Sequence, residues 1–296
     1  MILTIYTHSN SLFSGEFWKS LVQRINGKYS GPNAVRDSLL RGLEENRIEY
    51  ELNPVKPSGD TVLVLSGVEA LKNAIRAKKR GETKKLIAGP NMVVTPHDSS
   101  NVMHADAIDT ILVPSQWVAD FWKHEAAELS EKIFVWAAGV AVKNSSSRTG
   151  APVIYDKMRS KELLTLADEV VKSTGKTPNV FTYGTYRHSE YLEALSNAPY
   201  LIYLAQSESQ GISLQEAWSH NVPTFVNKST KWENKNYSFE SAQINAPYLT
   251  NKLGGIFGNK DELSSLVADA KTLNPKHYCD EHLSDDASIK TLLTLI

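Results

Sequence analysis

The stretch from Ser207 to Val226 reads SESQGISLQEAWSHNVPTFV, and its two carboxylates, Glu208 and Glu216, are separated by seven residues. Between them the chain passes from a strand end through Gly211 into a helix that opens at about Ile212 or Ser213. A helix start presents unpaired backbone N–H groups and a partial positive charge, which suits a diphosphate, and a glycine lets the backbone come close to it. Glu208, in the loop before the helix, is placed to hydrogen-bond a sugar. Glu216, about a turn inside, can accept from a ribose diol, since an ionised carboxylate offers only acceptors and a vicinal diol two donors. Two glutamates taken alone could equally be a first-turn acid and a solvent-facing residue.

The elements that must hold these residues alternate along the chain. Ile2 to Tyr6, Thr61 to Leu65, Leu86 to Val94, Thr110 to Val113 and Lys132 to Trp136 read as strands, several of them apolar on successive residues. Such runs suit strands covered on both faces, and with intervening helices they predict a parallel α/β sheet. Pro32 to Glu45 and Val68 to Lys79 carry helical spacing. The polar, small run AVKNSSSRTGA at 141–151 reads as a linker, after which the pattern restarts. Val153 to Tyr155, Val180 to Tyr183, Tyr200 to Ala205 and Pro223 to Val226 are strands, with helices at Lys161 to Ser173 and Ser213 to Ser219. The reading is two doubly wound Rossmann-like domains, 1–144 and 145–296, facing across a cleft and binding a ligand at the carboxyl ends of their strands.

The Ser207–Val226 stretch resembles the Glu-x7-Glu signature of retaining nucleotide-sugar glycosyltransferases of family 4, which have the glycosyltransferase B fold. The likeness includes the Glu-Ala after the second carboxylate and the Asn-Val-Pro leading into the next strand. It implies that Glu208 contacts the donor sugar, Glu216 the nucleotide ribose, and the main chain of Gly211, Ile212, Ser213 and Leu214 the sugar and diphosphate. The first domain would then serve the acceptor and the second the donor.

Other segments match the family pattern more thinly. Ser30-Gly31-Pro32-Asn33 is similar to the glycine-containing loop lying against the donor phosphates, although Pro32 also suits a plain helix start. VVTPHD ends a predicted strand with His97, where the family places a histidine that reaches the donor sugar; acid–base and hydrogen-bonding use are both open to an imidazole. ILVPSQWV at 111–118 resembles the strand and serine-led helix start late in the family's first domain, and WAAGV at 136–140 resembles the segment leading into the interdomain linker, where Gly139 would turn the chain. The family's arginine and lysine after the first strand of the second domain have no clean counterpart. VIYDKMRSKE supplies Lys157, Arg159 and Lys161, and the role of neutralising the leaving diphosphate falls to Lys157 and Arg159. Tyr183 and Gly184, in TYGTYR, lie where the family cradles the base; the tyrosine could stack on a base or pack on the wall.

The activity implied is transfer of a sugar from a UDP- or GDP-linked donor to a hydroxyl of a glycan or other acceptor, with retention of configuration. An inactive nucleotide-sugar or glycan binding protein is the alternative. No Asp-x-Asp motif occurs, so neither metal nor cofactor is expected. In RAKKRGETKK at 76–85 six of ten residues are basic, which reads as a solvated helix end, with weak membrane-surface or anionic-acceptor contact as the minor reading.

Composition narrows the classes. Of 296 residues 41% are hydrophobic and 22% charged, which excludes disorder. Thirty-two Lys plus Arg against 33 Asp plus Glu give a net charge of -1, so no global field draws the chain to nucleic acid. A single cysteine, Cys279, excludes an internal disulfide and fits a reducing compartment. No apolar run approaches the roughly 20 residues of a membrane span, and MILTIYTHSNS lacks the marks of a signal peptide, so a cytoplasmic protein is expected.

Overall fold

A computed structural model of the chain describes residues 2–8, 31–143 and 147–296. Among them the chain forms two compact units, Met1–Gly139 with Ser288–Ile296, and Val140–Ala287.

The first unit holds six parallel strands: β1 (Leu3–Tyr6), β2 (Tyr50–Leu52), β3 (Thr61–Ser66), β4 (Lys85–Asn91), β5 (Thr110–Val113) and β6 (Ile133–Val135). Their order is β2-β1-β3-β4-β5-β6. The helices α1 (Gly31–Glu45), α2 (Val68–Lys79) and α3 (Gln116–Glu125) accompany them. Val62 to Leu65, Leu86 to Ala88 and Ile111 to Val113 are almost wholly buried, as consecutive apolar residues must be in a sheet covered on both faces. α1 turns Ala34, Val35, Leu39 and Leu43 inward.

The second unit repeats the plan with β7 (Val153–Asp156), β8 (Asn179–Thr182), β9 (Leu201–Leu204), β10 (Thr224–Asn227) and β13 (Gly254–Phe257), ordered β13-β10-β9-β7-β8 and all parallel. The helices α4 (Lys161–Ser173), α5 (His188–Leu195), α6 (Ile212–Ser219), α7 (Lys260–Asp269) and α8 (Pro275–His282) belong to it. An antiparallel hairpin, β11 (Lys231–Asn234) and β12 (Tyr237–Glu240), is inserted between β10 and β13. A Cβ on Gly254 would overlap the Thr224 carbonyl, so β13 can lie against β10 only with glycine there.

Four expectations are corrected. The division falls at Gly139/Val140 rather than at 144/145, and the last nine residues return to the first unit. They are tied there by hydrogen bonds: Trp136 Nε1 donates to Ser288 O at 3.1 Å, Ser288 Oγ to Ala137 O at 2.6 Å and Lys85 Nζ to Leu295 O at 3.1 Å. These residues close α9 (Asp285–Leu295), whose polar exposed face gives no hint of where it packs.

β4 stops at Asn91, so VVTPHD does not end a strand. The Asp98 carboxylate accepts from Thr95 N at 2.9 Å, offering the backbone a turn in place of a ladder bond. Trp122 Nε1 donates to Val94 O at 3.3 Å from α3. Finally, Gly31, Pro32 and Asn33 are the first turn of α1 and not a loop before it, while Ser30 lies outside the described residues. So do 144–146 of the expected linker.

Candidate functional site

In the second unit the strand order reverses between β7 and β9, and crevices at such reversals are where open α/β sheets bind ligands. Lys157 follows β7 and Glu208 follows β9, and the two meet there. Lys157 Nζ donates to Glu208 Oε1 at 2.6 Å, with the glutamate side chain 10% exposed and the lysine 30%. Lys157 owes its position to backbone bonds: its N–H and that of Met158 donate to Leu204 O at 2.9 and 3.1 Å. The ammonium also stands 5.1 Å from the centre of the Tyr183 ring, within cation–π range.

Glu208 is fixed from several sides. Its N–H donates to Ile244 O at 2.8 Å, and Tyr203 OH donates to the same Oε1 at 2.6 Å. Tyr203 OH also lies 3.0 Å from Ser213 Oγ, in the first turn of α6. The loop leaving β9 is clamped by two buried amides. Asn227 Oδ1 accepts from Ala205 N at 2.8 Å, and Asn245 Nδ2 donates to Ala205 O at 3.0 Å and Asn227 O at 2.6 Å.

Gly211 begins α6 with φ 81°, a conformation L side chains rarely adopt, and a Cβ there would stand 3.2 Å from Leu214 Cδ1. The N–H groups of Ile212 and Ser213 lie in the first turn, where no intrahelical acceptor exists. Leu214 is 1% exposed and its N–H donates to Gly211 O at 2.9 Å, so the donors open to a ligand at this helix start are those of Ile212 and Ser213. Glu216 Oε1 lies 2.7 Å from His188 Nε2, which opens α5.

Beneath these groups is a stack of aromatic rings. Tyr155 and Tyr203 are parallel with centroids 4.9 Å apart, and Tyr186 OH donates to Tyr155 OH at 2.8 Å. Burial, reinforced by the nearby glutamates, pushes the phenols of Tyr191 and Tyr203 well up; burial holds Tyr186 up at about 12. They are therefore protonated donors throughout the neutral range, which is what an adjacent carboxylate requires.

Arg159, exposed and with φ 56°, donates from its guanidinium to Tyr183 O at 3.2 Å, while its N–H donates to Asp156 Oδ1 at 2.7 Å. Tyr183 is 53% exposed and Gly184 takes φ 84°, so TYGTYR presents an open aromatic face. The structure thus brings together Glu208, Lys157, Ser213 and Tyr183, with Glu216 a turn along the same helix.

His97 and Gly31 belong to the other unit. His97 Nε2 lies 3.1 Å from Glu125 O, and its ring stacks on His104 at 5.0 Å. In the basic 76–85 run Lys78 pairs with Asp109, Arg80 with Glu82 and Lys84 with Asp60, which fits a solvated helix end. Among the described residues no group of three His, Cys, Asp or Glu is arranged to hold a metal, and no helix is long and apolar enough to cross a membrane.

Sequence reasoning missed Tyr203, His188, Asn227 and Asn245. Tyr203 carries the one available signal: it is a polar-tipped residue in a strand of otherwise apolar side chains, two residues from the loop that holds Glu208.

No family model and no curated protein matches the chain by sequence. Solved structures do resemble it. The apo form of the lipopolysaccharide outer core galactosyltransferase WaaB aligns over 100% of this chain and 99% of its own, with a TM-score of 0.56 and 11% identity. WaaG, a glycosyltransferase involved in lipopolysaccharide biosynthesis, aligns over 100% and 99% with a TM-score of 0.51 and 9% identity. TarM aligns over 87% of this chain and 57% of its own, with a TM-score of 0.51 and 12% identity. Likeness at such identities is likeness of fold: the chain has the glycosyltransferase B fold, with two Rossmann-like units.

Proposed function

We propose that the chain is a glycosyltransferase that moves a sugar from a nucleoside diphosphate donor to an acceptor hydroxyl, with retention of configuration and without a metal ion. The observation that carries this reading is the Lys157–Glu208–Tyr203–Ser213 cluster at the start of α6, at the strand reversal of the second unit. WaaB and WaaG, whose fold the chain shares, are glycosyltransferases by description.

Each residue has a part that follows from its chemistry. The diphosphate lies on the N–H groups of Ile212 and Ser213, where the helix dipole and unpaired donors favour negative charge. Lys157, with Arg159 beside it, neutralises the charge that develops as the nucleoside diphosphate departs, the task a metal would otherwise perform. Lys157 exchanges its bond to Glu208 for one to phosphate, and Glu208 then accepts from sugar hydroxyls, held in place by Tyr203. Glu216 accepts from the ribose diol, with His188 orienting its other side. Tyr183 stacks on the base above Gly184. The family resemblance assigns His97 a hydrogen bond to the donor sugar and Gly31 a place by the phosphates. Glu208 is a positioning carboxylate and not a nucleophile, so the acceptor attacks on the face from which the diphosphate leaves.

Thermal shift against UDP, GDP, ADP and their sugars tests the reading first. A ligand at 100 times its dissociation constant adds about 2.7 kcal/mol of stability. Transfer to an acceptor in excess EDTA tests the metal-free mechanism: activity lost in chelator and restored by manganese contradicts it. Nucleotide-sugar binding without turnover would identify a binding protein instead.

A further inference from the structure

Four side-chain hydroxyls lie in a row between the TYGTYR loop and Glu208: those of Tyr186, Tyr155, Ser213 and Tyr203. Tyr155 and Tyr203 are register partners on the neighbouring parallel strands β7 and β9, so their rings stack, and both are buried. Ser213, in the first turn of α6, hydrogen-bonds to both of them. Its Oγ is 3.0 Å from Tyr203 OH, and the Tyr155 hydroxyl is its other side-chain partner. Tyr186 joins the row from the loop, donating to Tyr155 OH at 2.8 Å, and Tyr203 OH ends it on Glu208 Oε1 at 2.6 Å.

Each hydroxyl has a single proton to give, and that fixes the direction of every bond. Burial pushes the phenols of Tyr155 and Tyr203 well up and holds that of Tyr186 at about 12, so all three keep their protons in the neutral range. The Glu208 carboxylate, ion-paired with Lys157, only accepts, so the Tyr203 proton points at it. The Tyr203 oxygen is then left to accept from Ser213, which spends the serine proton. The Ser213 oxygen in turn accepts from Tyr155, whose own oxygen accepts from Tyr186. Counting protons therefore requires the same direction that the Tyr186–Tyr155 geometry shows. All four point from the loop toward the carboxylate. In low-dielectric surroundings the bonds of such a chain polarise one another, each strengthening the next.

Tyr191 provides a contrast within the same stack. Its ring is 5.3 Å from that of Tyr155, but its hydroxyl donates to the main-chain Ser213 O at 2.8 Å and so stands outside the row.

We infer that Tyr186, Tyr155 and Ser213 are positioning residues that act on Glu208 through a hydroxyl chain of one direction, coupling the loop assigned to the base to the carboxylate assigned to the sugar. The Ser213 hydroxyl has no proton left for a diphosphate, which meets only the backbone N–H of that residue. The role in transfer rests on the proposed function, whereas the chain of hydroxyls does not.

Tyrosine isotope-labelled at the ring carbon that bears the hydroxyl reads the chain by NMR without turnover, because the shift of that carbon follows the hydrogen bonding of its phenol. In the full chain Tyr186→Phe should move the Tyr203 signal, and in a Ser213→Ala background it should not. Tyr191→Phe, which removes a fully buried hydroxyl outside the row, should leave that signal in place. A Tyr203 signal indifferent to Tyr186→Phe would overturn the inference, as would an equal response without the Ser213 hydroxyl or to Tyr191→Phe.

Kinetics read the positioning role. Tyr186→Phe should lower kcat about fivefold, the size of one neutral hydrogen bond, with nucleoside diphosphate affinity unchanged. In Ser213→Ala, itself slower by a similar factor, Tyr186→Phe should cost nothing more, and additive losses would overturn the positioning role. Nucleoside diphosphate affinity lost in Ser213→Ala would place its hydroxyl proton on the ligand and overturn the direction of the chain. The expected NMR pattern in a protein that transfers no sugar would refute the glycosyl-transfer reading and leave the hydroxyl chain standing. Normal transfer with a silent Tyr203 signal would do the reverse.

Discussion

In each unit the second strand lies outside the first and the third lies inside it, so the order reverses at β1/β3 in one sheet and at β7/β9 in the other. At β7/β9 the chain leaves both strands through short turns and brings Lys157 onto Glu208. At β1/β3 the contacts are smaller. Ser66 Oγ donates to Thr7 O at 2.8 Å and Thr7 N to Asn53 Oδ1 at 2.8 Å, and residues 9–30, which follow β1, lie outside the described part of the chain. His97 follows β4, two strands from the β1/β3 reversal, and is tied to Glu125 O. One architecture thus has two uses: in the second unit the reversal gathers titratable side chains, whereas in the first the candidate histidine stands elsewhere.

The largest effect should come from Glu208→Gln. Transfer should fall on the order of a hundred- to a thousandfold, as when one preorganised electrostatic contact is removed, while nucleoside diphosphate binding persists. Equal loss of both would break the assignment of Glu208 to the sugar. Glu216→Ala should act in the opposite way, weakening UDP or GDP binding by about 1.5 to 3 kcal/mol by calorimetry. His188→Ala should follow it at a smaller size if the histidine orients Glu216, and unchanged nucleotide affinity would remove that role.

His97→Ala probes the other side of the comparison. Loss of one hydrogen bond, about 1 kcal/mol, should reduce donor-sugar affinity several-fold and leave nucleoside diphosphate affinity alone. An unchanged donor affinity would confine the candidate site to the second unit.

The smallest effect is on stability. His220 is 7% exposed at the end of α6, its Nδ1 2.7 Å from Glu216 O, and burial lowers its pKa below the usual histidine value, assisted by the charge of Lys143. A histidine whose folded pKa is depressed binds its proton more readily when unfolded, so stability should fall as pH drops below about 6.5. The slope contributed is at most about 1.4 kcal/mol per pH unit. His220→Gln should flatten the acid limb of a melting-temperature profile, and an unaltered limb would place the sensitive group elsewhere.

Much of this was legible in the residues. β5 at Thr110–Val113, α2 at Val68–Lys79 and α4 at Lys161–Ser173 fall where periodicity puts them, because runs buried on both faces and amphipathic helices carry their environment in their own composition. β2, β13 and the β11–β12 hairpin were not legible. Tyr50–Leu52 and Gly254–Phe257 are short edge strands with half-buried residues, so local composition says little about their pairing.

The amino-acid sequence by itself determined the parallel α/β class, the glycine-led helix start at Gly211 and the two carboxylates around it, since each depends on residues within a few positions of one another. Only the tertiary structure decided that Lys157 meets Glu208 across 51 positions, that Tyr203 and Asn245 hold the loop between them, and that the last nine residues belong with the first unit. Those outcomes depend on which strands lie side by side. That choice follows from burial summed over whole sheets, which no short stretch of residues encodes.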